Sequence, residues 1–362
     1  YSPPSGFLAM CSANIAEPTI GPSSSSQADN HFKTVLYSGT GNADTITTGL
    51  QPDWIWIKQR NGSGYHNLTD TSRGITREMH SNAVDAETNY SRIASTSTTG
   101  FTFESGANGY TNESGSTFVA WNWHANGGST TSFSESGNNP AGTHQANTTA
   151  GFSIVTYTGT GADGTVSHGL GAVPAWYFVK NRDVNSHNWI LWHRTFATNG
   201  FISLNLDQDV KSNSARFTSN APTSSVFYVG SDGSTNADGQ AFIAYVFAEV
   251  EGYSRFGKYS GNGSTNGTFV FTGFKPAWIM VKRTDTADNW AIYDSVRDTF
   301  NVRDSYLYAD SNQAEATYST AIVDFLSNGF KWRGAVNFGN NSSGSYIYMA
   351  FAEAPFKFAN AR

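Results

Sequence analysis

Cysteine, charged residues and long apolar runs are all scarce in this chain of 362 residues. The single cysteine, Cys11, excludes an intrachain disulfide, so packing alone must hold the fold together. With 22 Lys and Arg against 28 Asp and Glu, the formal charge is −6 and no basic block exists, which makes nucleic acid a poor partner. No apolar run approaches the ~20 residues of a membrane-spanning helix, so we expect no membrane insertion.

Glycine, aromatic and small polar residues make up much of the rest. The chain has 36 Gly and 14% aromatic residues, with Ser, Thr and Asn in nearly every gap between apolar stretches. This composition is typical of an all-β protein with many turns. Short strand patterns without helical periodicity favour antiparallel β-sandwiches, and the repeats described next are about twice the ~40 to 50 residues of a propeller blade.

A short Pro–Trp–Lys frame occurs three times and shows an internal triplication. Its members are Pro52, Trp54 and Lys58, then Pro174, Trp176 and Lys180, then Pro276, Trp278 and Lys282. Proline suits the entry to a strand, and the β-branched and aromatic residues after it favour strand structure. In the first copy Trp54, Trp56 and Lys58 share one face while Ile55 and Ile57 share the other. Apolar residues on both faces predict a central strand covered on both sides, with the lysine ammonium reaching water.

The triplication divides the chain into segments. We predict three tandem antiparallel β-sandwich domains of jelly-roll or lectin-like type, at residues 28–125, 151–249 and 250–362. Residues 126–150 contain mainly Gly, Ser, Thr and Asn, which predicts a flexible linker. Residues 1–27 read as an N-terminal segment and linker, the tail of an upstream region, because the chain starts at Tyr1 without Met. The second and third repeats adjoin directly and should pack together.

Catalytic residues are hard to find in this sequence. His193 with Asp183 and a serine would give the residue types of a triad, but no Gly-x-Ser-x-Gly motif accompanies them. His193 aligns with Asp294, which favours a polar end to a repeated strand. Glu249 and Glu353 recur without a counterpart in the first repeat, so they do not suggest a glycosidase pair. We predict no catalytic residue, no metal site and no cofactor.

Aromatic residues suggest a second kind of site. The faces of Trp and Tyr rings stack on the apolar C–H faces of sugars, and this chain has 10 Trp and 17 Tyr. Most of them recur at equivalent strand positions, which is typical of repeated cores. Candidates for glycan contact are therefore the aromatics outside the repeated frame, namely Tyr110, Trp192 and Trp332.

Several stretches resemble a repeated domain found in tailed bacteriophages, especially marine and cyanobacterial phages. They include Gly169-Leu170, Pro174-Ala175-Trp176, Asn188-Trp189 and residues 221–227, 244–252 and 325–330. The opening Tyr1-Ser2-Pro3-Pro4-Ser5-Gly6-Phe7 with Cys11-Ser12-Ala13-Asn14 resembles the segment that follows a SPRY-like or concanavalin-like sandwich in the same proteins.

The resemblance implies a non-enzymatic structural protein of the virion, either a tail fibre or a surface appendage, located on the particle surface. Its expected partners are other virion proteins, copies of itself with a trimer favoured by analogy with phage fibres, and the host-surface polysaccharide. Two alternatives stay open: a carbohydrate-active enzyme that depolymerises glycans, and a subunit of a bacterial extracellular filament.

Overall fold

The computed structural model describes residues 17–22, 25–106 and 109–359. The sequence motifs at Tyr1 to Phe7 and around Cys11 lie outside the described residues. About 43% of the chain is strand and 4% is helix, in several antiparallel sheets, so the all-β prediction is confirmed. Within the part of the chain that the structure describes, no helix has the length and apolar character needed to cross a bilayer.

The strands follow the three predicted repeats. The first repeat contains β1 (Phe32–Ser38), β2 (Thr45–Thr47), β3 (Trp54–Gln59), β4 (Asn67–Asp70), β5 (Arg77–His80), β6 (Thr88–Asn89), β7 (Ile93–Ser97), β8 (Gly100–Phe103) and β9 (Thr117–Trp123). The middle of the chain contains β10 (Thr131–Phe133), β11 (Gly142–Asn147), β12 (Phe152–Thr158), β13 (Gly164–Ser167), β14 (Pro174–Asn181), β15 (Ile190–His193), β16 (Gly200–Ser203), β17 (Lys211–Ser212), β18 (Val226–Val229), the one-turn helix α1 (Gly233–Asn236) and β19 (Ala241–Ala248). The last repeat contains β20 (Ser254–Ser260), β21 (Phe269–Phe271), β22 (Phe274–Arg283), β23 (Trp290–Asp294), β24 (Ser305–Tyr308), β25 (Ala316–Thr317), β26 (Val323–Leu326), β27 (Gly329–Trp332), α2 (Asn337–Asn340) and β28 (Ser345–Pro355). Short 3-10 turns cover Ala28–Asn30 and Phe356–Phe358.

One strand order recurs in the three large sheets. The orders are β1-β9-β3-β4-β5-β6, then β12-β19-β14-β15-β16-β17, then β20-β28-β22-β23-β24-β25. In each, the closing strand lies between the opening strand and the strand of the Pro–Trp–Lys frame. Smaller sheets accompany them, with orders β2-β8-β7, β13-β18 and β21-β27-β26. Trp176 pairs with Phe247 and Trp278 pairs with Phe351, so the two tryptophans occupy equivalent strands in the same register.

The two faces of the frame strand are buried against different partners. In β3, Ile55 and Ile57 pack with Phe101 and Phe103 of the small sheet in a core confined to the first repeat. The opposite face, which carries Trp54 and Trp56, belongs to a different and larger cluster. The predicted alternation of β3 is therefore confirmed, and both faces are covered.

The tryptophan faces of the three large sheets pack against each other. Trp54 of the first repeat stacks on Tyr245 of the second, with ring centroids 4.2 Å apart. Trp278 of the third repeat lies edge to face with Trp123 of the first at 5.8 Å, and Trp176 of the second lies 6.2 Å from Phe256 of the third. All these rings belong to one buried cluster. The three repeats thus share one aromatic core, which we call the shared core. The predicted packing of the second repeat on the third is confirmed, and the first repeat joins the same core.

The segment predicted as a flexible linker contains two strands. β11 pairs with β12 along its length, from Gly142 opposite Tyr157 to Asn147 opposite Phe152, and β10 pairs with β11. Together they extend the large sheet of the second repeat at its β12 edge. The prediction of a linker without regular structure is wrong because backbone hydrogen bonds hold a polar strand that has no apolar alternation. A Cβ atom on Gly142 would lie 2.1 Å from the carbonyl oxygen of Thr156, so this edge needs glycine.

Candidate functional site

The repeated lysines lie buried between repeats. Lys58 Nζ donates to the carbonyl oxygens of Gln59 and Gly62 at 2.6 and 3.1 Å, and its side chain has no exposed surface. Lys180 Nζ donates to Val84 O of the first repeat, and Lys282 Nζ donates to Asp207 O of the second. Burial lowers the pKa of each lysine to about 8. The expectation that these ammonium groups reach water is wrong because a loop of the neighbouring repeat covers them.

Each covering loop binds the next repeat through one equivalent backbone hydrogen bond. The bonds run from Glu87 N to Arg182 O at 2.8 Å, from Val210 N to Thr284 O at 3.1 Å and from Glu315 N to Arg60 O at 2.7 Å. The first repeat thus contacts the second, the second the third, and the third the first. This cyclic order closes the three repeats around the shared core.

A buried ion network links the first and second repeats. Arg73 Nε donates to Asp70 Oδ2 at 2.5 Å, and its Nη1 donates to Glu87 Oε2 at 3.0 Å. Glu87 in turn accepts two hydrogen bonds of 2.9 Å from the Arg182 guanidinium. The hydroxyl of Tyr245 donates to Asp70 Oδ2 at 2.8 Å. The side chains of Arg73 and Asp70 have no exposed surface, so their charges depend on partners within this network.

The third repeat contains an equivalent network, directed at the first. Arg297 Nε donates to Asp294 Oδ2 at 2.6 Å and its Nη1 donates to Glu315 Oε2 at 3.0 Å. Glu315 also pairs with Arg60, while Trp121 Nε1 donates to Asp294 Oδ2 at 3.1 Å. Burial alone would raise the pKa of Asp294, but Arg297 lowers it below the ordinary value.

The second repeat replaces this network by less polar residues. His193 pairs with Trp176 as Asp70 pairs with Trp54, which confirms the predicted alignment of His193 with Asp294. Phe196 packs on the His193 ring at 5.6 Å, at the position of the two arginines. Burial lowers the pKa of His193 to about 3, and its Nδ1 lies 2.8 Å from Thr195 Oγ1. His193 is therefore a neutral interior residue.

Two of the three predicted glycan contacts are interior residues. Trp192 is 4% exposed and donates to Thr198 O, while Trp332 is 0% exposed and donates to the hydroxyl of Tyr259. Neither ring has a face that a sugar can reach, so these two predictions are wrong. Although both residues lie outside the repeated frame, each fills the core of its own sandwich. Tyr110 is half-buried and lies edge to face with Tyr65 at 5.2 Å.

An open aromatic groove lies on the third repeat, where β24 and β25 meet the loop that leads into α2. It has a volume of about 430 Å³. Its walls include Tyr306, Tyr308, Tyr318 and Phe338, with Asp288 at one side. Tyr318 is 59% exposed, whereas Phe338 is buried and packs on Tyr306 and Tyr308 at 5.3 and 5.5 Å. We call this site the β24–β25 groove.

The first repeat has a smaller cleft at the equivalent place. Glu78 pairs with Thr88 as Tyr306 pairs with Ala316, which makes Tyr90 the counterpart of Tyr318. The amides of Thr40 and Asn262 donate in the same way to the side chains of Asn112 and Asn340, each at 3.0 Å. The residues two positions before these asparagines, Tyr110 and Phe338, are therefore counterparts too. The Arg92 guanidinium, which lines this cleft, lies 5.8 Å from the centroid of the Tyr110 ring, and glycan contact by Tyr110 stays a prediction.

The carboxylates in and near the groove form no metal-binding cluster among the described residues, although burial raises their pKa values. Among the residues that the structure describes, no three His, Cys, Asp or Glu side chains could together hold a metal ion. Burial raises the pKa of Asp288, and it raises the pKa of the neighbouring Asp310 to about 6. Asp310 Oδ1 accepts a hydrogen bond from the backbone of Trp290, and Asp183 Oδ2 accepts one from the backbone of Ala241, so neither pairs with His193.

The fold and the site define an all-β protein whose repeats surround one shared core and present open surface grooves. Residues 27–355 match a family described as a domain of unknown function, DUF7483, and the chain belongs to this family. No curated protein and no solved structure is similar enough to match the chain.

Proposed function

We propose that this chain is a non-enzymatic structural protein of a virus particle, a tail fibre or a surface appendage. The observation that carries the proposal is the shared core, in which the tryptophan faces of the three large sheets are buried against each other. A chain built this way is a stiff block that offers outer surfaces to partners. The resemblance of its repeats to phage domains supports the same conclusion, and we propose a lectin-like sandwich type for each repeat.

Other virion proteins, further copies of the chain and host polysaccharide are the proposed partners. The loop after β23 supports an assembly surface, since Val296, Phe300 and Val302 are 39%, 67% and 50% exposed. Exposed apolar side chains that lie close together favour protein contacts. The trimer stays a prediction by analogy, and the shared core needs no second chain to cover it.

Particle composition and assembly state test this proposal. Mass spectrometry of purified particles should detect the chain in a constant ratio to the capsid protein, and mass photometry of the isolated chain should show a homo-oligomer. Absence of the chain from intact particles would contradict the proposal. A filament of this chain on bacteria that carry no virus would favour the extracellular filament instead.

The depolymerase alternative has one observation in its favour. Asp288 lines the aromatic groove and burial raises its pKa, as a general acid for glycoside cleavage requires. Incubation with host polysaccharide, followed by an assay for new reducing ends, separates the two functions. We expect no release of reducing ends. Release that disappears in Asp288→Asn would establish the enzyme and contradict the proposed function.

A further inference from the structure

We infer that the β24–β25 groove of the third repeat binds an uncharged oligosaccharide. The inference deepens the adhesive part of the proposed function by naming the place and the class of ligand. Binding is measured on the isolated chain, so it can succeed or fail independently of the particle assay.

The groove has the size and composition of a ligand site. Its volume of about 430 Å³ lies within the range of about 300 to 1,000 Å³ that is common for small-molecule sites. Tyr318 presents an exposed ring at the rim, and half-buried Tyr306 and Tyr308 form the wall beside it. Flat rings that keep a polar hydroxyl match a sugar, which has apolar C–H faces and hydroxyl edges.

Polar groups suited to sugar hydroxyls lie at the edges of this groove. The carboxylate of Asp288 and the hydroxyl of Thr320 line it, and so does the side chain of Asn337. Asn337 Oδ1 accepts from Asn341 Nδ2 at 2.6 Å, which fixes the orientation of its amide. A carboxylate accepts hydrogen bonds and an amide nitrogen donates them, so both kinds of bond are available to a hydroxyl.

The charge of the groove selects against acidic sugars. None of its lining residues is Lys, Arg or His, in the groove as the structure describes it, and Asp288 supplies a carboxylate. Burying a uronate or sulfate beside the Asp288 carboxylate is unfavourable. The ligand class is therefore a neutral hexose or N-acetylhexosamine chain.

The cleft of the first repeat shows what opens the groove. There Arg92 pairs with Glu78 at 2.5 Å and lies over the ring of Tyr90, 4.2 Å from its centroid. In the third repeat Thr320 replaces the arginine and Tyr306 replaces the glutamate. Without the ion pair, the rim tyrosine is 59% exposed instead of 49%, and the volume is about 430 Å³ instead of about 260 Å³. In the second repeat Asn213 takes the place of Tyr318, and Ser234 takes the place of Phe338. The second repeat therefore lacks these two aromatic side chains, and the third repeat is the proposed site.

The test uses maltohexaose, cellohexaose and hexa-N-acetylchitohexaose as uncharged probes and an oligogalacturonate hexamer as the acidic probe. Saturation-transfer NMR and intrinsic fluorescence should show binding of at least one uncharged probe at about 1 mM or below. Tyr318→Ala should weaken that binding at least about tenfold, whereas Tyr318→Phe should retain most of it. The matched control is Tyr90→Ala, which removes the equivalent exposed tyrosine and should leave binding unchanged.

Three results would overturn the inference. The first is no binding of any uncharged probe by the folded chain, and the second is equal affinity in Tyr318→Ala and the unchanged chain. The third is tighter binding of the oligogalacturonate hexamer than of every uncharged probe. Tyr318 is exposed, so circular dichroism of Tyr318→Ala should match the parent spectrum and exclude misfolding as the cause.

Discussion

The hydroxyl of Tyr245 in the second repeat donates a 2.8 Å hydrogen bond to Asp70 Oδ2 in the first, beside the stacked rings of Tyr245 and Trp54. One tyrosine therefore supplies both an apolar ring to the shared core and a donor to the buried ion network. The same pair of roles falls to Trp121, which lies against Trp278 and donates to Asp294. Contact between repeats is thus built into the interior of the chain.

Truncation of a shared-core ring should destabilise the whole chain. Trp278 is fully buried, so Trp278→Ala should lower the free energy of unfolding by ~3 to 5 kcal/mol, the usual cost of removing a large buried aromatic side chain. Urea denaturation followed by circular dichroism measures the change. Tyr318→Ala is the control and should change stability by less than ~0.5 kcal/mol because its ring is exposed. A loss below ~1 kcal/mol for Trp278→Ala would contradict the buried assignment.

The second repeat suggests how the ion network can be removed with little loss of stability. Asp70→Ala should cost ~3 to 5 kcal/mol, because it removes one of the two carboxylates that compensate the buried charge of Arg73. A fourfold variant combines Asp70→His, Arg73→Phe, Glu87→Val and Tyr245→Met. It introduces the residues found at the equivalent positions between the second and third repeats. It should be clearly more stable than Asp70→Ala in the same urea experiment. Equal losses in both variants would show that the network itself is indispensable.

Acid should destabilise the protein in the pH range where an unfolded histidine titrates. Burial lowers the pKa of His31 and His168 to about 4 and that of His193 to about 3, from an unfolded value near 6.5. Below pH 6.5 these histidines bind protons in the unfolded chain but stay neutral in the folded chain. The stability that their burial as neutral residues contributes is therefore lost as pH falls from about 6.5 towards 4. His124, whose pKa is raised by its hydrogen bond to Asp53, has the opposite sign, as do Glu78, Asp288 and Asp310, whose pKa values are raised by burial. Seven of the eight histidines have lowered pKa values, so the net change is a loss of stability.

Urea midpoints measured between pH 4 and 8 test this expectation. The midpoint should fall steadily below pH 6.5, and His193→Gln should reduce the slope of that fall. A midpoint that stays constant down to pH 4.5 would contradict the burial of neutral histidines.

The strand β11 predicts a defined pattern of proteolysis. Subtilisin should leave Gly142–Asn147 intact in the folded chain, because β11 is paired with β12 along its whole length and with β10 over its first three residues. Gly142→Val should open this edge, since its side chain meets the carbonyl oxygen of Thr156, and cleavage between residues 126 and 150 should then appear. Rapid cleavage of the unchanged chain within β11 would contradict the paired strand and support the predicted flexible linker.

Repetition made the strand framework predictable from the sequence. Three copies of the Pro–Trp–Lys frame fixed the frame strand and the alternation of Trp54 with Ile55, and the structure has both. The partner of the tryptophan face could not be predicted, since a period of two shows that a face is apolar and not what covers it. The burial of Lys58 was missed for the same reason. Pro276 lies within β22 at a register shift, so the proline marks a bulge there instead of the strand entry.

Two signals in the sequence would have improved the site prediction. Asp70 and Arg73 share their spacing with Asp294 and Arg297, while the second repeat has His193 and Phe196, which marks a network present twice and replaced once. Thr88-Asn89-Tyr90-Ser91 and Ala316-Thr317-Tyr318-Ser319 likewise align and identify the rim tyrosines. Trp192 and Trp332 were wrong choices because a position outside the Pro–Trp–Lys frame does not show that a side chain is exposed.

Differential scanning calorimetry of the whole chain tests the shared core most directly. If the three repeats unfold together, the thermogram should show one transition whose calorimetric enthalpy equals its van't Hoff enthalpy, although chains of this length often unfold in steps. Trp278→Ala should move that single transition to lower temperature without splitting it. Two or three resolved transitions, of which Trp278→Ala shifts only one, would contradict a core that all three repeats share.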